Sequence, residues 1–405
     1  AAMLVHVPSM EIRGLVGSAD FFNHGIDGQV DGTAALRSPG STLKPFIYAL
    51  ALDQGVIHPE TLLNDDPAYF AEYRPTNFDG KFIGKISARD ALVLSRNIPA
   101  ITLNTKIKPD LYDFMQKAGA DFPHDKSWYG LSIVLGGAEV EMRMMARLYA
   151  MLANGGRLQE LRQLRDDKYE PGRQMLSPES ALLAAQMIMH PAPDTLAFTH
   201  GSSLPVYWKT GTSSGFRDAW TAGIFGPYVL VVWTGHFDGH PNPSFIGVER
   251  AAPLFFEIAR AVMAQERLVD TVGPALRARN VSFIDICTAT GLPGNCRVTQ
   301  KDWFIPGKSP IAASPGTAAG PKILSPRGGI SYVASYQSAE KLRIPLQADA
   351  QQTDQLYWFD GTELIGAGDA KTPLLWSPSP GQHTVHLVNA AGQSSTEVVN
   401  VSAAE

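Results

Sequence analysis

Between Pro205 and Thr234 the chain runs through three strand-like segments with very little between them. Pro205–Gly211, Asp218–Phe225 and Tyr228–Thr234 are rich in Val and aromatic side chains, which suit a pleated, half-buried surface. Gly226-Pro227 makes the turn between the last two, and connections this short allow only antiparallel pairing. Two further strands are expected at Ala1–Val7 and Glu11–Gly17, around a turn at Pro8-Ser9. The stretch between them and the meander has the helical period, with helices expected over 88–94, 109–118, 139–152 and 177–189. A closing helix is expected over 252–265. The pattern specifies an α+β fold in which the first two and last three strands are neighbours in one antiparallel sheet.

A chain of 405 residues exceeds one ordinary domain of ~100–150 residues, and the sequence divides accordingly. Residues 1–268 form the first expected domain and 269–321 a linker ending in a Pro, Ala, Gly and Ser-rich stretch. Residues 322–405 turn to short strands at a spacing that suggests a small β-sandwich of immunoglobulin-like size. Trp358, Trp376 and Tyr357 offer this domain either core aromatics or a binding surface for a glycan or an envelope protein. The net charge of −5 argues against a nucleic-acid partner. No run of about 18 apolar residues occurs, so membrane attachment would need an anchor outside this chain. The first residues read as a strand rather than a signal peptide.

Cys287 and Cys296 enclose a turn-rich loop with no second pair and no nearby histidine, so no metal site is expected. A disulfide suited to an oxidising compartment and two reduced, buried thiols are both open.

The chemistry begins at Ser38-Pro39-Gly40-Ser41-Thr42-Leu43-Lys44-Pro45. Pro39-Gly40 supplies a turn, and Pro45 is tolerated only in the first turn of a helix. That helix is expected to begin near Ser41 and stop at Gly55, leaving Ser41 and Lys44 one turn apart on one face. A hydroxyl at a helix N-terminus beside an amine that can take its proton suits a nucleophilic serine. Ser-x-x-Lys alone is weak, and Ser338-Ala339-Glu340-Lys341 matches it too. Ser41 has further company. Pro99 disfavours helix at Ile98, so Ser95-Arg96-Asn97 falls in a bend between two helices. Lys209-Thr210-Gly211 ends a strand.

Ser-x-x-Lys, Ser-x-Asn and Lys-Thr-Gly follow one another in the order known for β-lactamases and penicillin-binding proteins. The division of labour is coherent. Ser41 attacks a carbonyl and Lys44, neutral part of the time, takes its proton. Ser95 relays a proton to the leaving amine, and Asn97 orients Lys44 and the substrate amide. Lys209 and the Thr210 hydroxyl receive a terminal carboxylate. Gly211 lets substrate lie against the strand edge, and the backbone N–H groups of Ser41 and Thr212 hold the oxyanion. No cofactor is required.

Residues 1 to about 268 resemble the transpeptidase domain of the class A penicillin-binding proteins. The Ser38–Pro45 stretch and the run Trp208–Trp220 are most similar to the 1C group, which also carries a small β-rich C-terminal domain. The resemblance implies the penicillin-binding/β-lactamase-like fold, an antiparallel sheet with a helical subdomain. It implies acyl transfer from D-Ala-D-Ala stem peptides of peptidoglycan, covalent inhibition by β-lactam antibiotics, and work on the periplasmic face of the inner membrane. An anchor and a glycosyltransferase domain are implied upstream of these residues.

Other protein classes share parts of this pattern. A class A β-lactamase needs a glutamate-held water, yet no Glu-x-x-Leu-Asn stretch lies between Asn97 and Lys209. Gly211-Thr212-Ser213-Ser214-Gly215 matches the α/β-hydrolase elbow, but that elbow joins a strand to a helix and here another strand follows. An acylated sensor or docking protein with little turnover, or a carboxypeptidase, would keep the same motifs.

Overall fold

Five strands form the central sheet: β1 (Ala2–His6), β2 (Glu11–Val16), β3 (Val206–Thr212), β4 (Asp218–Phe225) and β5 (Tyr228–Gly235), in the order β2-β1-β5-β4-β3. All pairings are antiparallel, with Ala2 opposite Val232 and Gly211 opposite Trp220. The N-terminal hairpin thus docks beside the meander, as the strand pattern requires. Every residue of β4 is buried, because the sheet is covered on both faces. One helix, Gly247–Gln265, packs Phe255 and Phe256 against Trp208, Phe225 and Leu230. Another, Met142–Ala153, lies against β1, β4 and β5 and buries Met142, Met144, Met145 and Met151 as core filler.

The structure, a computed structural model, describes residues 1–70, 73–164, 166–191, 204–293, 296, 298–311, 321–334, 342–350, 355–390 and 393–403. The second Ser-x-x-Lys match, Ser338 to Lys341, lies outside them, as do residues 312–320 of the expected linker. The chain divides into two compact units: Ala1–Thr61, Ser87–Ser95 and Leu103–Ile311 in one, Leu62–Ile86, Arg96–Thr102 and Ala312–Glu405 in the other.

Three element boundaries differ from the sequence reading. The helix after Ser41 is preceded by a 3₁₀ turn, Gly40–Leu43, so that α1 proper is Lys44–Asp53 with Pro45 in its first turn. The closing helix begins at Gly247, five residues early, and carries Pro253 in its second turn. Residues 270–311 hold a helix, Val272–Arg277, and a three-stranded sheet of Ser282–Cys287, Leu292–Pro293 and Thr299–Phe304. These strands are largely exposed, so no buried face marks them in the sequence. Cys287 and Cys296 are bonded, with Cα atoms 5.9 Å apart.

In the second unit a three-stranded sheet (Lys322–Ser325, Ile344–Asp349, Leu374–Trp376) faces a five-stranded one running Ser331–Ala334, Ser394–Ala403, Gly381–Asn389, Leu356–Asp360 and Glu363–Gly368. Ile344, Leu346, Leu356, Val385 and Leu387 fill the space between them together with Trp358 and Trp376. The two tryptophans are core aromatics of a β-sandwich.

Candidate active site

Ser41 sits in the 3₁₀ turn, and the backbone N–H of Lys44 bonds back to its carbonyl. The turn is held in place on several sides. Thr42 caps the Pro39 carbonyl through its hydroxyl at 2.7 Å. Trp220 Nε1 donates to the Ser38 carbonyl at 2.9 Å, and Tyr149 donates to the Thr42 carbonyl at 3.0 Å. Gly40 has φ +53°, a conformation natural to glycine. A Cβ on Gly211 would collide with the Pro39 carbonyl and crowd Thr42, so the strand and the serine turn touch backbone to backbone. The space left by the missing side chain is therefore filled by the Ser41 turn itself, a different reason for glycine than room for substrate.

α1 is buried along its whole length from Lys44 to Leu52, and Lys44 itself is 0 % exposed. Buried lysines need partners. Lys44 Nζ donates to the Ser95 carbonyl at 2.6 Å and lies 3.4 Å from Ser95 Oγ. Lys209, 2 % exposed on β3, donates to the same Ser95 Oγ at 2.9 Å and to the Thr210 carbonyl at 3.0 Å. Burial holds the Lys209 ammonium well below the usual lysine range, at about 7. One hydroxyl thus links the amines of the first and third motifs. Ser95 presents it from the bend between α2 (Ala88–Val93) and α3 (Asn97–Lys106), with φ +59°.

β3 is an edge strand. Trp208 N–H points outward and bonds the Ile188 carbonyl at 3.1 Å. Backbone donors alternate along a strand, so the N–H groups of Thr210 and Thr212 face the same outer edge. Side chains alternate too. Thr210 and Thr212 project to the face opposite Lys209, where Thr212 Oγ1 accepts the Gly247 N–H at 3.0 Å and keeps its own proton to donate. Ser213, the serine of the hydrolase-like pattern, is 5 % exposed and its Oγ accepts the N–H groups of Arg217 and Asp218 at 3.2 and 2.8 Å. It shapes the β3–β4 hairpin, so the strand-to-helix elbow of a hydrolase is absent there.

Within the second unit, Asn97 N–H bonds Asn77 Oδ1 and its side chain donates to the Thr76 carbonyl, both at 2.7 Å. Arg96 binds Asp65 and Asp79. Asn77, Asp65 and Arg96 are not marked as site residues by the sequence; the only signal is a charged residue in the middle of the Ser-x-Asn motif.

An antiparallel sheet packed between helices, with a serine turn, a polar bend and a lysine-bearing edge strand, is the architecture of the penicillin-binding transpeptidase fold. Residues 1–231 match the penicillin binding protein transpeptidase domain family and 312–401 the penicillin-binding protein C-terminus family. The chain belongs to the penicillin-binding proteins. It is 36% identical to penicillin-binding protein 1C of Escherichia coli over 321 residues, 76% of this chain and 41% of that one. It is 28% identical to penicillin-binding protein 1A of Clostridium acetobutylicum over 73% of this chain and 40% of that one. The chain spans about two fifths of the length of these relatives. The fold is shared with the crystal structure of penicillin-binding protein 1A from Haemophilus influenzae, at TM-score 0.65 and 22% identity over 78% of this chain and 54% of that one. PonA1 of Mycobacterium tuberculosis in complex with penicillin V has TM-score 0.55 at 21% identity, covering 67% of this chain and 78% of that one. Among the described residues no helix is long and apolar enough to cross a membrane, and no cluster of His, Cys, Asp or Glu could hold a metal.

Proposed function

We propose that this chain is a peptidoglycan D,D-transpeptidase working through a Ser41 acyl-enzyme. The observation that carries the reading is the convergence of Lys44 and Lys209 on Ser95 Oγ. A proton taken from Ser41 by Lys44 has a path through the Ser95 hydroxyl to the leaving amine. The Ser41 oxygen bonds the penultimate D-Ala carbonyl, the tetrahedral intermediate collapses, and the terminal D-Ala leaves with that proton. An acceptor amine then attacks the ester, returning a proton to the same chain and freeing Ser41. Backbone N–H groups of Ser41, in a first turn where donors lack intrahelical partners, and of Thr212, at the strand edge, receive the oxyanion. The hydroxyls of Thr210 and Thr212 receive the substrate carboxylate at the strand edge, with the Lys209 charge acting on it from across the strand, while Gly211 lets the serine turn approach. Asn97 orients Lys44 and the substrate amide.

The family extends the proposal to β-lactam acylation at Ser41, and to a longer, membrane-anchored protein with a glycosyltransferase domain at the periplasmic face. The test is a stem peptide ending in D-Ala-D-Ala, incubated with and without an amine acceptor peptide. Release of D-Ala together with a cross-linked product is expected. Release of D-Ala with no cross-linked product would make the chain a carboxypeptidase, and no release at all would leave a sensor or docking protein.

A further inference from the structure

Arg96 occupies the variable position of Ser-x-Asn, yet it is 5 % exposed. Its Nε donates to Asp65 Oδ2 at 2.7 Å, Nη1 to Asp79 Oδ2 at 3.0 Å, and Nη2 to the Lys81 carbonyl. Asp65, wholly buried, also accepts Asn77 Nδ2 at 2.8 Å and the Ile83 N–H at 3.2 Å. Asn77 in turn takes the Asn97 N–H. Residues 96 and 97 are therefore both tied to the Leu62–Asp65 strand and the loop after it. The adjoining Ser95 holds a left-handed conformation that strains a non-glycine residue and needs its neighbours fixed.

The residue just after that strand faces the C-terminal β-sandwich. Asp66, 7 % exposed, accepts the Ser394 hydroxyl and lies 3.9 Å from His386 Nδ1. The Tyr69 ring lies 5.0 Å from that of Tyr357. Ser394 and His386 stand on adjacent, fully paired strands, a rigid anchor. We propose that the C-terminal domain supports the second catalytic motif: it clamps Asp66, the neighbouring Asp65 and Asn77 hold Arg96 and Asn97, and Arg96 is a positioning residue for Ser95. This rests on the reading of Ser95 as part of the acylating machinery. It assigns the C-terminal domain a partner inside the same chain.

The experiment measures acylation of the full chain by a fluorescent penicillin in stopped flow, separating the rate constant at saturation from the apparent Kd. Arg96→Gln is expected to lower the rate constant by about 10²-fold with little change in Kd, the scale of a 1 Å misplacement. Ser394→Ala with His386→Ala should lower it about 2–10-fold, the worth of about one hydrogen bond, and Ser394→Thr should keep it near wild type. A Ser394→Ala/His386→Ala protein acylated at the wild-type rate overturns the proposal. So does a loss confined to the labelled fraction with the rate constant kept, which would mean folding alone suffers. Should Arg96→Gln not fold, the C-terminal variant decides by itself. A wild type that takes no label would overturn the Ser41 reading first, and this inference with it.

Discussion

The ε-amine of Lys209 donates to Ser95 Oγ at 2.9 Å, joining the edge strand to the bend between two helices. Lys209 is desolvated rather than solvated, and this sets how a carboxylate is received. In the free protein its ammonium loses its proton near pH 7 because burial penalises the charged form. A bound carboxylate favours the charged form and retains the proton.

The expected pH dependence follows from that sign. The second-order acylation rate by a penicillin reports the free protein, so it should fall as pH rises above about 7 and Lys209 becomes neutral. Esterifying the penicillin carboxylate should lower the rate and remove this alkaline limb. Equal limbs for acid and ester would show that Lys209 does not read the carboxylate.

Two glycines of one hairpin should behave differently. Gly211→Ala drives a Cβ into the Pro39 carbonyl and Thr42, displacing the turn that carries Ser41, and labelling should fall by 10²-fold or more. Gly215→Ala meets nothing within 4 Å and carries only the strain of φ +76°. It should cost about 1–2 kcal/mol of stability with labelling kept. Urea unfolding and labelling kinetics on both variants check the contrast.

The local placement of the three motifs was legible in the sequence because prolines, glycines and polar bends fix local geometry wherever they occur. Pro45 bounded the start of α1, Pro99 marked the bend at Ser95, and the short connections between the strands of 206–235 specified the meander. What escaped was whatever depends on distant contacts. Nothing local marks Asp65 and Asn77 as holders of Arg96 and Asn97, and nothing in Gly211 says that Pro39 will lie against it. The strands of 282–304 went unread because their side chains are mostly exposed and leave no apolar period.

Ser213 separates the transpeptidase reading from the hydrolase-like pattern around it. Ser213→Ala removes an acceptor of two backbone N–H groups and should cost about 1–3 kcal/mol of stability. It should leave labelling per folded molecule intact, as measured by burst amplitude against the folded fraction.

A buried cluster in the first unit carries stability rather than chemistry. Asp302, 1 % exposed, accepts from Arg89 Nη2 and the Glu60 N–H at 3.1 Å and pairs with His58, whose Nε2 faces the Gly291 carbonyl at 2.9 Å. Both ring nitrogens of His58 therefore face acceptors. Asp302→Ala strands these partners and should destabilise the protein by about 3–5 kcal/mol, read as a lowered urea midpoint.

The most direct test of the Ser41 acyl-enzyme is intact mass after incubation with a penicillin, for wild type and Ser41→Ala. The expected result is one adduct on wild type, mapping to the peptide that contains Ser41, and none on the variant. No adduct on wild type, or equal adducts on both, would contradict it.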